Sequence, residues 1–153
     1  MTELALIRAD EINLPLFLHV LAALTLIGAT ALVFLALAGS WRSGSATGMR
    51  LAFRSLLYGV IPAWLVMRIT AQWLLDEQGL EDADLAWVDI GFMAAEPVFL
   101  LLIIATLIAG RRSRAGESGN ERPSIGGKFA TVLVGISLLA FLFALWAMTT
   151  KPV

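Results

Sequence analysis

Apolar and polar positions alternate along this chain in long blocks: four extended apolar runs separated by three polar stretches. A bilayer core of about 30 Å takes roughly 20 apolar residues in helical form, because every backbone amide must find its partner within the segment. The runs Leu14 to Ala38, Ser55 to Leu75, Leu85 to Gly110 and Phe129 to Met148 meet that length. They predict an all-α transmembrane four-helix bundle, with residues 1–153 forming a single transmembrane domain. The intervening stretches read as a Gly/Ser/Arg linker (Gly39 to Arg54), an acidic turn (Asp76 to Asp84) and a longer polar loop (Arg111 to Lys128). No internal repeat or low-complexity tract interrupts this plan.

Aromatic residues gather near several of the proposed boundaries, where amphipathic rings sit among headgroups: Trp73, Trp87 and Trp146 toward one face, Trp41 and Tyr58 toward the other. The basic residues then set the orientation. Arg42, Arg50 and Arg54 fall in the first loop, Arg111, Arg112, Arg114, Arg122 and Lys128 in the third, and none in the second. Arg8 precedes the first span and Lys151 follows the last, so positive-inside reasoning places both termini on the non-cytoplasmic side. A cysteine introduced at Gly79 should accordingly react with an impermeant thiol reagent on intact cells, and one at Ser118 should be shielded. The reverse pattern would overturn the orientation.

Composition agrees: 59% of residues are hydrophobic and 15% charged, well to the apolar side of soluble proteins. A net charge of -1 gives no reason to expect nucleic acid as a partner. With no cysteine, disulfides, thiolate metal sites and cysteine nucleophiles are excluded. Ala36-Leu37-Ala38 before Gly39 has the form of a signal-peptidase site. The apolar run ahead of it is longer than a signal core and its flank is acidic, so the segment is read as a retained span.

Four ionisable side chains fall inside the predicted spans: His19, Arg68, Asp89 and Glu96. At about 1.5 Å of rise per residue they lie roughly 7, 10, 6 and 16 Å below the outer boundary, all in one half of the bilayer. Asp89 and Glu96, seven apart, share one stripe of the third span, and Trp64, Arg68 and Gln72 share one stripe of the second. An ion facing lipid near the bilayer centre costs about 2.5 to 3.5 kcal/mol, so these groups are expected to face the bundle interior and to pair. Arg68 should meet Glu96 or Asp89. One guanidinium facing two carboxylates leaves the deeper Glu96 as the carboxyl expected to hold a proton, unless a protonated His19 supplies the missing charge and makes the cluster sensitive to external pH. The cluster of Arg68, Gln72, Asp89 and Glu96 is either a proton relay or polar ligand pocket open to the outside, or an ion pair that fixes helix register.

Other features have plainer readings. Pro62 and Pro97 each remove a backbone donor and free a carbonyl four residues earlier, at Tyr58 and Met93, so both helices are expected to kink. Gly91/Ala95 and Thr131/Gly135 are small-xxx-small pairs that let helices approach. The acidic turn (Asp76, Glu77, Glu81, Asp82, Asp84) lacks the spacing of an EF-hand loop and reads as a solvated charge run. The basic third loop could meet anionic headgroups, but positive-inside bias accounts for it. No HExxH, phosphate-cradling glycine loop or Ser/His/Asp arrangement is present, so no residue is assigned to catalysis and no metal site is expected.

His19 is the only histidine, which excludes bis-histidine haem within one chain. It leaves either a histidine hydrogen-bonded inside the bundle or a haem b site held by His19 alone or completed by Met67, Met93 or a dimer partner. The run Leu18-His19-Val20-Leu21-Ala22-Ala23 with Leu26-Ile27-Gly28 resembles the opening helix of small bacterial integral membrane proteins similar to the copper-resistance D family and to haem-associated membrane protoporphyrinogen oxidases. The closing Trp146-Ala147-Met148-Thr149-Thr150-Lys151-Pro152 resembles the ends of actinobacterial proteins of this size. The resemblance implies a multi-pass protein of the bacterial inner (plasma) membrane with His19 as a haem or metal contact. The later spans depart from the oxidase pattern, with Asp89 and Glu96 standing where a membrane-embedded lysine is expected. The expected role is transport or proton-linked, or that of an accessory subunit, with a haem-binding redox protein or enzyme as the alternative. A third class is a purely structural subunit. The partners expected are the bilayer and a homo-oligomer or larger membrane complex.

Overall fold

The computed structural model describes residues 10–79, 86–116 and 125–150, with the side chains of 10–13, 86, 87, 94, 115 and 116 excepted. Arg8, Glu81, Asp82, Asp84, Ser118, Arg122 and Lys151 lie outside the described residues, as does the Trp87 side chain. The described residues are helical throughout apart from short breaks: α1 (Asp10–Ser43), α2 (Ala46–Ser55), a π-helical turn (Leu56–Val60), α3 (Ile61–Gln78), α4 (Ala86–Gly116) and α5 (Ile125–Thr150). Four continuous helical segments, Leu14–Ser43, Ala46–Gln78, Val88–Arg114 and Ile125–Thr150, are long and apolar enough to cross a membrane.

The stretch read as a linker is helical over most of its length. α1 runs on to Ser43 and α2 starts at Ala46, so only Gly44 and Ser45 break the chain. Gly44 takes a positive φ of 71°, which glycine adopts without steric cost. Ser45 caps α2 by accepting from the Gly48 amide, and Ser40 donates to the Ser45 carbonyl at 2.6 Å. A Cβ at Gly48 would lie 3.0 Å from that of Ser40, so α2 leaves α1 at near backbone contact. The polar composition of α2 disguises an amphipathic helix whose Met49 and Ala52 are buried while Arg50 and Arg54 face out.

At the junction of α2 and α3 the Ile61 amide reaches back five residues to the Leu56 carbonyl. Pro62 follows directly and has no amide to give, and the π-helical turn absorbs one extra residue at that point. Pro97 lies within helix α4, which continues through it, and is exposed.

A continuous interior line runs along each long helix, with Leu26, Val33 and Leu37 on α1, Val98, Leu102 and Ala105 on α4, and Ala130, Val134 and Phe141 on α5. Alanines at 105, 109 and 130 let α4 and α5 pack closely. Gly135 admits the Phe34 ring, and Gly91 lies against the Met148 methyl. Buried hydroxyls return a hydrogen bond to their own helix: Thr30 to Leu26, Thr106 to Leu102, Thr131 to Gly127 and Ser137 to Leu133, at 2.7 to 2.9 Å. They therefore sit in an apolar interior without an unsatisfied donor. The outer surface is equally apolar, with Leu24, Leu35, Ile69, Leu100, Leu139 and Phe143 exposed.

Arg42, Arg50, Arg54, Arg111, Arg112, Arg114 and Lys128 belong to the ends of α1 and α4, to the short helix α2 and to the start of α5, which meet at one end of the bundle. There Lys128 lies over the Trp41 ring at 5.2 Å. Packing is uneven toward the opposite end. α2 rests on both α1 and α4, whereas α3 rests on α1 and touches α4 only sparsely. The π-helical turn marks the change, and beyond it α3 and α4 border a cavity.

Candidate ligand cavity

The cavity has a volume of about 380 Å³ and is bounded by all four long helices: Leu16 to Ile27 of α1, Met67 to Gln78 of α3, Val88 to Ala95 of α4 and Phe141 to Thr149 of α5. Its walls are mostly Leu and Ala, with Val, Phe and Met beside them and His19 and Arg68 as the ionisable groups. Two residues from separate spans, both singled out by their depth, thus share one space.

His19 is fixed by a hydrogen bond of 3.2 Å between Nδ1 and the Met67 carbonyl. A carbonyl can only accept, so Nδ1 carries the hydrogen, and in neutral imidazole Nε2 then keeps its lone pair. The residue joins α1 to α3 and offers one acceptor or ligating nitrogen.

Arg68 sits one residue further along α3. Its guanidinium lies 3.7 Å from a Glu96 carboxylate oxygen, 3.4 Å from Gln72 Oε1 and 4.2 Å above the Phe92 ring. Gln72 in turn donates to Asp76 at 3.2 Å. Glu96, Arg68, Gln72 and Asp76 therefore form a polar ladder along the α3 surface, ending about 12 Å beyond Arg68 near the end of the helix. Asp76 came from the stretch read as a solvated run and Phe92 was not singled out. Phe92 is signalled in the sequence only by lying one helical turn before Glu96.

The expectation that all four ionisable groups face the interior is corrected here. Arg68 is 28% exposed, but Glu96 is 67% exposed and Asp89 is exposed as well. The inward line of α4 is Gly91, Ala95 and Val98, and the Asp89/Glu96 stripe is rotated off it by one residue, about 100°. Glu96 consequently lies at the rim of the α3–α4 cleft, and Arg68 meets it rather than Asp89. Trp64, on the Arg68 stripe, is buried, stacks on Phe99 at 4.0 Å and donates to the Ala95 carbonyl at 3.2 Å. It ties α3 to α4 just below the cavity.

Of the two methionines considered beside His19, Met67 lines the cavity and Met93 is 76% exposed. Among the described residues no three His, Asp or Glu side chains converge as a metal site. Comparison with family profiles, with curated proteins and with solved structures finds no match for this chain.

Proposed function

We propose that this chain crosses the bacterial inner membrane four times with both termini on the non-cytoplasmic side, and that its outer half binds a small, mostly apolar molecule in a transport or accessory role. Support for the membrane setting comes from four helices of sufficient length and apolarity, an apolar exterior and the basic residues gathered at one end. The observation that carries the binding role is the cavity. Its 380 Å³ falls within the range of about 300 to 1,000 Å³ typical of small-molecule sites, and apolar walls with a few polar groups are the usual pattern of such sites. Membrane helices associate largely through packing contacts, so a space of this size gains stability when an apolar body fills it.

The test is titration of the purified protein with N-phenyl-1-naphthylamine, whose fluorescence rises in apolar surroundings. Saturable binding is expected, weakened about tenfold or more when Ala71→Phe fills the space. Uptake that does not saturate, or that is equal in the variant, would overturn the binding role.

A second reading rests on the hydrogen bond of His19. Histidines that ligate a metal commonly donate their other ring nitrogen to a carbonyl, as Nδ1 does here to Met67. A haem b held through His19 Nε2, with Met67 or a dimer partner beside it, is the alternative. It predicts a Soret band after expression with ample haem, abolished by His19→Ala. A band that survives the substitution would rule out His19, and no band in the native protein would remove the haem reading.

A further inference from the structure

We infer that the cavity takes an acidic amphiphile, a single apolar chain ending in a carboxylate, whose head group binds Arg68 in exchange for Glu96. This rests on the binding role proposed above and goes further by assigning the ligand class and the residue that selects it.

The first observation is the state of the Arg68 guanidinium. It has five N–H donors, and its contacts of 3.7 Å to Glu96 and 3.4 Å to Gln72 are both longer than the roughly 2.7 to 2.9 Å of a charge-assisted hydrogen bond. Phe92 supplies only a ring face. The cation is therefore held in place while its hydrogen-bonding capacity remains largely unspent. The second observation is position: Arg68 lines the cavity, whereas Glu96 is not among its lining residues and lies 67% exposed at the rim. A carboxylate arriving within the cavity meets a guanidinium that lines it, and the fork of guanidinium N–H groups matches its two oxygens.

The space behind Arg68 fits the rest of such a molecule. Ala71, Leu74 and Leu75 of α3, Leu16 and Ala23 of α1 and Leu145 of α5 give it walls suited to a hydrocarbon chain. Sparse α3–α4 packing makes that cleft the route from the surrounding apolar phase, with Glu96 at its edge.

The experiment is displacement of bound N-phenyl-1-naphthylamine by dodecanoate and by methyl dodecanoate, with the full chain held in an amphipathic polymer. In the native protein dodecanoate should displace the probe about tenfold better than its ester. Glu96→Gln, which leaves Arg68 without a competing carboxylate, should widen that preference several-fold. The neutral pair Arg68→Gln with Glu96→Gln leaves no unpaired ion, so acid and ester should displace the probe alike when each is measured against that variant's own probe affinity. Equal displacement by acid and ester in the native protein, with probe binding intact, would overturn the inference and leave the cavity reading standing. Better displacement by the ester would do the same and point to a neutral ligand. Absence of saturable probe binding would overturn both.

Discussion

Arg68→Leu alone is expected to lower accumulation of the folded protein severely, and adding Glu96→Leu is expected to restore most of the loss. Either single change strands an ion at a depth where insertion costs about 2.5 to 3.5 kcal/mol, while the double change removes both charges. The expected coupling is about 1 to 3 kcal/mol. Surroundings decide the magnitude: an ion pair as exposed as Glu96 is would be worth about 0 to 1 kcal/mol on a water-facing surface. Accumulation in membranes and unfolding in detergent measure the cycle, with Asp89→Leu as the control that should not rescue. Additive losses would show that the pair contributes nothing in its actual setting. Rescue by Asp89→Leu in place of Glu96→Leu would reassign the partner.

Trp64→Ala should cost more than any other single truncation near the cavity, about 3 to 5 kcal/mol. The ring is 7% exposed and stacked on Phe99, and its indole N–H meets the Ala95 carbonyl where α3 and α4 otherwise touch sparsely. Trp64→Phe keeps the stack and loses the hydrogen bond, so its cost should be nearer 1 kcal/mol. Thermal unfolding followed by circular dichroism separates the two. A loss for Trp64→Ala no greater than for Trp64→Phe would mean that stacking and packing at this position contribute little to the bundle.

The four long helices were legible because a run of about 20 apolar residues leaves its backbone amides few other ways to be satisfied in lipid. That Arg68 would meet a carboxylate of the third span was also legible, but helical rise puts Asp89 about 4 Å and Glu96 about 6 Å from its depth and so leaves the partner open. α2 was not. Its Gly, Ser and Arg content matches a linker, and only the Met49/Ala52 spacing and the Ser45 cap reveal a helix folded back on α1. The facing of Glu96 was missed for a different reason. Stripe arguments fix which residues share a face but not which face turns inward, and Gly91 and Ala95 take that place through the close approach of Met148 and Trp64. Nor could the cavity be read from sequence, because it depends on α3 and α4 diverging beyond the π-helical turn at Leu56–Val60. Pro62 hinted at a disturbance there, next to the π-helical turn.

A ligand cavity entered between α3 and α4 is tested by photolabelling of the protein in native membranes with a diazirine-bearing dodecane, followed by peptide mapping. Saturable adducts are expected on Ala71, Leu75 and Phe92, suppressed by excess unlabelled dodecane and by Ala71→Phe, above a non-saturable background on outward residues such as Leu139 and Phe143. Adducts confined to that outward background, with none at the cavity positions, would contradict such a cavity.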